Sequence, residues 1–117
     1  MTNDIQALDS DLNQMILKGQ ILEAFDRFYG DQVVMQENSQ PPTVGKPANR
    51  AREEQFVGSV AELHEIKVAK SGVNGDTTFS LWVIDATYKG GPRVRQEQVA
   101  VRTWKDGKVV REQFFHA

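Results

Sequence analysis

The sequence predicts an α+β fold, with helices from its first half packed on one face of a curved sheet built by its second half. Three observations carry this. Apolar residues recur at helical spacing up to about Ser59, they alternate at period two from Leu63 onward, and three turn signals cut the alternating half into four strands. A chain of 117 residues is the size of one domain, 1–117, with a single core, and no linker, repeat or low-complexity tract interrupts it.

The elements follow in order. Ile5, Leu8, Leu12, Met15 and Ile16 recur at three- and four-residue steps, an amphipathic helix that Asn3 or Asp4 can cap and Gly19 stops. Leu22, Phe25, Phe28 and Tyr29 form the buried side of a second, shorter helix ending at Gly30. Asp31 to Asn38 alternates as one short strand, and Ser39 to Lys46, with Pro41-Pro42 and Gly45, is a loop. Pro47 suits the first turn of a third helix, where its missing N–H costs nothing; Ala48, Ala51, Arg52, Gln55 and Phe56 lie along one side. Leu63–Ser71, Thr77–Lys89, Arg93–Lys105 and Lys108–His116 then form an antiparallel meander. Its turns are Val73-Asn74-Gly75-Asp76, Gly90-Gly91-Pro92 and Lys105-Asp106-Gly107. Two of these strands are about twice the usual five or six residues, so the sheet should curl strongly or carry bulges.

Composition narrows the function. A net charge of -2 argues against nucleic acid as a partner, since phosphate contacts need a basic surface. No apolar run approaches the ~20 residues that span a bilayer, and the N-terminus lacks a signal-peptide pattern; a cytoplasmic protein without membrane contact is expected. Without cysteine there is no disulfide, thiol chemistry or thiolate metal site, and two widely spaced histidines give no basis for a metal centre. Gly-rich phosphate loops, Gly-x-Ser-x-Gly elbows and His-Glu-x-x-His helices are missing from the sequence.

Three segments, Phe28-Tyr29-Gly30-Asp31-Gln32-Val33-Val34-Met35, Gly45-Lys46-Pro47-Ala48 and Asp106-Gly107-Lys108-Val109-Val110, occur in an order and spacing that resembles the SnoaL-like domain family of the NTF2-like superfamily. The resemblance covers nearly the whole chain. It implies an NTF2-like (cystatin-like) cone: three N-terminal helices packed on a strongly curved mixed sheet of one short strand plus a four-strand antiparallel meander. It also implies a cavity for a small, largely apolar molecule, and a homodimer through the outer face of the sheet. Relatives include ketosteroid isomerase, polyketide cyclases, epoxide hydrolases, dehydratases and binding proteins, so the fold does not name the reaction. If the chain is an enzyme, the resemblance implies isomerase-, cyclase- or dehydratase-type proton transfer without metal or cofactor, with Glu37 as general base; the alternative is a non-catalytic ligand-binding or dimerisation module.

By comparison with that fold, Met35 and Glu37 face inward from the first strand. Trp82, Ile84, Ala86 and Tyr88, then Glu97, Val99, Val101 and Thr103, then Glu112, Phe114 and His116 complete the inward set. The opposite set, Leu81, Val83, Ala100, Trp104, Val109 and Phe115, is apolar enough to call for a covering partner. Glu37 falls where ketosteroid isomerase carries its general-base aspartate, and a carboxylate at a cavity mouth beside Met35 and aromatics loses the water that would level it. The positions of that enzyme's oxyanion-hole donors hold Leu12 and Val99, which donate nothing, so steroid isomerisation by its mechanism is not expected. Glu97 can share acid and base roles with Glu37, or pair with Arg93, Arg95 or Arg52. His64, on a face with Ile66 and Val68, is either a second proton carrier or a core histidine. Glu112 and His116 share a strand face, but a histidine at a chain end is expected to fray and stand idle. Phe56, Trp82, Tyr88 and Phe114 form an aromatic wall or an ordinary core, with the Tyr88 hydroxyl the best donor among them.

Overall fold

The structure, a computed structural model, describes residues 4–117. Helix α1 (Ile5–Leu17) starts at Asp4, whose carboxylate accepts the Ala7 N–H at 3.2 Å; Asn3, the other expected cap, lies outside the described residues. Next come α2 (Ile21–Phe28), β1 (Tyr29–Glu37), β2 (Thr43–Val44) and α3 (Lys46–Ser59), with Pro47 in the first turn of α3 as expected. The meander is β3 (Val60–Asn74), β4 (Thr77–Tyr88), β5 (Arg93–Lys105) and β6 (Lys108–His116). These strands form one sheet in the order β2-β1-β6-β5-β4-β3, mixed because β1 runs parallel to β6. The fold class is the expected one.

The elements differ from the sequence-based expectation at β1, β2 and β3: Tyr29 and Gly30, expected to close the second helix, already belong to β1. Thr43–Val44 pairs antiparallel with β1 as an added edge strand inside the expected loop. β3 is an edge strand of fifteen residues, longer at both ends than its alternation indicated, and almost wholly exposed. Three register shifts, at Val60/Glu62, Leu63/Glu65 and Val68/Lys70, bend it. With these the sheet curls around the helices and leaves room between the layers.

The core lies between α1, α2 and the closed end of the sheet: Leu12, Phe25, Phe28, Val33, Met35, Trp104 and Val109 are each at most 4% exposed. Phe25 stacks on Tyr29 at 4.7 Å and Phe28 meets Trp104 edge-on at 6.3 Å. The sequence assigned Ala100, Trp104 and Val109 to the outer face; all three are buried inside. A register shift at Thr103/Trp104 pairs Trp104 with Val109 and Thr103 with Arg111, leaving Val110 as the extra residue. Beyond it the alternation of β6 reverses.

The Asn49 side chain closes the open side of β1. From a fully buried position its amide nitrogen reaches the carbonyl oxygens of Val33, Thr43 and Gly45 at 3.1, 3.0 and 2.9 Å, tying α3 to β1 and β2. We expect Asn49→Ala to lower stability by about 2–4 kcal/mol in urea unfolding, since it removes the three side-chain bonds that tie α3 to β1 and β2 and leaves a gap at a fully buried position.

Candidate functional site

A cavity of about 330 Å³ lies between the helices and the concave face of the sheet. Cross-strand pairing arranges its sheet wall in rows, neighbouring rows standing ~6.8 Å apart along the strands. The deepest row runs Met35–Glu112–Arg102–Thr78, and the next Glu37–Phe114–Ala100–Ser80. Towards the mouth follow His116–Gln98–Trp82 and then Gln96–Ile84–Ile66. Helices α1, α2 and α3 supply the roof, with Leu12, Ile16, Phe25, Arg52, Glu53 and Phe56 facing the cavity.

This ladder sorts the predicted site residues. Met35, Glu37, Phe56, Trp82, Tyr88, Glu112 and Phe114 all line the cavity. Glu97 and Val99 do not. On β5 the cavity face is the even-numbered one, Gln96, Gln98, Ala100 and Arg102, so Glu97 and Val99 point outward, as do Val101 and Thr103. Glu97 pairs with Val83, is exposed, and has no cation within 4.0 Å among the described residues. The sequence pointed to the wrong face because Val99 and Val101 look like core while Arg102 looks like surface. His64 is also outside the cavity. It is the extra residue of the Leu63/Glu65 shift, and its Nε2 lies 2.8 Å from Thr87 Oγ1 on the outer face.

The floor is a buried polar network. Arg102, 2% exposed, donates from Nε to Glu112 Oε2 at 2.6 Å and from Nη1 to Asp9 Oδ1 at 2.8 Å and Asn13 Oδ1 at 2.6 Å. Tyr29 donates its hydroxyl to Glu112 Oε1 at 2.6 Å. Thr78 donates to Asp9 and accepts the indole N–H of Trp104, while Asn13 donates to Ser80. Burial opposes the charge of Arg102, but the oxygens of Tyr29, Glu112 and Asp9 outweigh it and raise the guanidinium above its usual value. Burial first, and then the charge of Glu112, push the Tyr29 phenol well above its usual value, so it stays a donor.

Nearer the mouth the arrangement is looser. Glu37 Oε1 lies 3.9 Å from Arg52, and its Oε2 is buried, makes no hydrogen bond, and lies 3.4 Å from His116 Nε2. His116 is held rather than frayed: its backbone N–H donates to Asn38 Oδ1 at 3.0 Å, and its ring lines the cavity. The residue that sequence reasoning missed is Glu53. It faces the cavity from α3, has no cation within 4.0 Å among the described residues, and is pushed up to about 7, first by burial and then by the charge of Glu112, with Arg52 and Arg102 opposing. The signal was present: Asn49, Glu53 and Phe56 stand at i, i+4 and i+7 on one helix face.

The family model of the SnoaL-like domain matches residues 2–116. The chain belongs to the SnoaL-like domain family. Among solved structures, this SnoaL-like domain is similar to a provisionally named SnoaL-like polyketide cyclase from Mesorhizobium loti, at 27% identity and a TM-score of 0.85, over 97% of this chain and 98% of that one. A provisionally named isomerase from Bacillus subtilis shares 16% identity at a TM-score of 0.80, covering 99% and 90% of the two chains. An NTF2-like protein of unknown function from Burkholderia pseudomallei shares 14% at 0.82, covering 100% and 92%. The last two likenesses show the fold alone. No functionally curated protein matches the chain significantly. No helix among the described residues of the SnoaL-like domain is long and apolar enough to cross a membrane, and no three of its described histidines or acids cluster as a metal site would require.

The raised Glu53 sets the sign of a pH effect. Between its ordinary value of 4.5 and about 7 the folded protein holds a proton that the unfolded chain releases, so this residue makes stability fall as pH rises through that window. Urea unfolding at pH 5 and pH 7.5 should show a smaller decline for Glu53→Gln than for wild type, the difference bounded by about 3 kcal/mol.

Proposed function

We propose that this SnoaL-like domain binds a small, largely apolar molecule in its cavity and moves a proton on it, without a metal or organic cofactor. The observation that carries this is a half-buried carboxylate, Glu53, with no cation within 4.0 Å among the described residues and pushed up to about 7 beside an apolar cavity. A group that titrates near the working pH can both take and return a proton. Glu37, the residue favoured from sequence, is the second carboxylate of the site. With Arg52 and His116 on either side it serves better to orient a polar substituent at the mouth than to abstract a proton. Met35, Trp82, Tyr88 and Phe114 provide the walls, and Glu112, bonded on both oxygens, holds the floor.

The test is proton exchange on a simple ketone. Wild-type protein in D2O should speed deuterium incorporation into the methyl group of acetophenone, with a rate that rises through pH about 7. Glu53→Gln should lose about 100-fold or more of the acceleration, and Glu37→Gln less. Exchange no faster than in buffer alone would leave only the binding module.

A homodimer belongs to the same proposal. Phe79, Leu81, Val99, Val101 and Phe115 share the outer sheet face, with Phe79 and Phe115 37% and 45% exposed. Sedimentation at micromolar concentration should give twice 13.2 kDa, and Phe115→Asp should return the 13.2 kDa species.

A further inference from the structure

The floor of the cavity holds an arginine with two of its five N–H groups unspent. Nε gives one hydrogen to Glu112 and Nη1 gives its two to Asp9 and Asn13, while Nη2 bonds to nothing among the described residues. Arg102 is 2% exposed and lines the cavity, and its three used N–H groups are committed to the wall. What it presents inward is therefore Nη2. An arginine in a pocket ordinarily signals an anionic ligand. Here the charge count says otherwise, because Asp9 and Glu112 place two negative charges on the one positive guanidinium and leave the floor with an excess negative charge. Glu53 adds a third carboxyl group within range of Arg102 and Glu112. A ligand carboxylate set on Nη2 would meet that charge at close range. A neutral oxygen gains a hydrogen bond from Nη2 without the repulsion.

We propose that Arg102 Nη2 is a ligand-contacting donor for a neutral acceptor oxygen, a carbonyl, ether or hydroxyl, at the deep end of the bound molecule, and that the site rejects carboxylates despite its buried arginine. This rests on the proposed binding of a small apolar molecule and adds its orientation: oxygen inward at Arg102, apolar body along Trp82 and Phe114. Ammonium groups gain from the excess charge but find only donors on Nη2, so they too should bind less well than a neutral oxygen.

The experiment compares three probes of nearly equal size, acetophenone, benzoate and benzylammonium, binding to the full chain. Acetophenone should bind at least about tenfold more tightly than either ion. Its carbonyl stretch, read with a ¹³C=O label, should fall to lower frequency in wild type than in Arg102→Lys, which keeps the charge but loses the planar fork. Should that variant not fold, the Arg102 side-chain N–H signals of wild type supply the readout, and acetophenone should shift them and slow their exchange. Equal or tighter binding of benzoate or benzylammonium overturns the proposal. Acetophenone binding with the stretch and the Arg102 signals unmoved also overturns it, while leaving the apolar-cavity reading intact. Failure of all three probes to bind overturns both.

Discussion

The arrangement depends on one buried guanidinium. Arg102 sits where a close-packed core would ordinarily place a leucine, and its charge is tolerable only because Glu112 on the next strand and Asp9 on α1 both reach it. The same three side chains join helix to sheet, so electrostatics and architecture are not separable here. Removing one partner from a buried pair of this kind typically costs ~3–5 kcal/mol, because the other charge is left stranded. The network also explains why the space above it stays open. Apolar side chains cannot collapse onto a polar floor without stripping hydrogen bonds from it, so the layers meet around the floor rather than over it.

From that floor the cavity is graded. Committed polar groups lie deepest, and above them Glu37 and His116 share the wall with Phe114 and Trp82 while Arg52 reaches in from α3. Glu53 hangs from the roof, in range of both ends. Such grading suits the proposed ligand, a molecule with one polar end and an apolar body.

The helices and the meander were legible in the sequence because each buries one face, and burial writes its period into the chain. β2 was not, since two residues after Pro41-Pro42 carry no period. The ends of β3 were not, since an exposed edge strand has no buried face to betray it. For the site, alternation placed β1, β4 and most of β6 correctly but inverted β5. Period two fixes which residues share a face without saying which face is inside, and a single bulge at Thr103/Trp104 separates the anchor from the rest. His64 was lost to another such bulge. Glu53 was not legible because charge on a helix ordinarily marks its solvent side, although Asn49 and Phe56 flank it at the spacing of one face.

The place of β6 has a consequence for the order in which the molecule can assemble. This strand is late in sequence yet central in the sheet, hydrogen-bonded to β1 on one side and β5 on the other. Its contacts with the first strand close a loop of 75 residues, as between Arg111 and Gln36. Helices and β1 on their own lack the wall they pack against, and the meander on its own leaves its concave face wet. Folding must then await the last strand and draw the two halves together in one cooperative step. A chain emerging from the ribosome would hold no finished cavity until β6 is free.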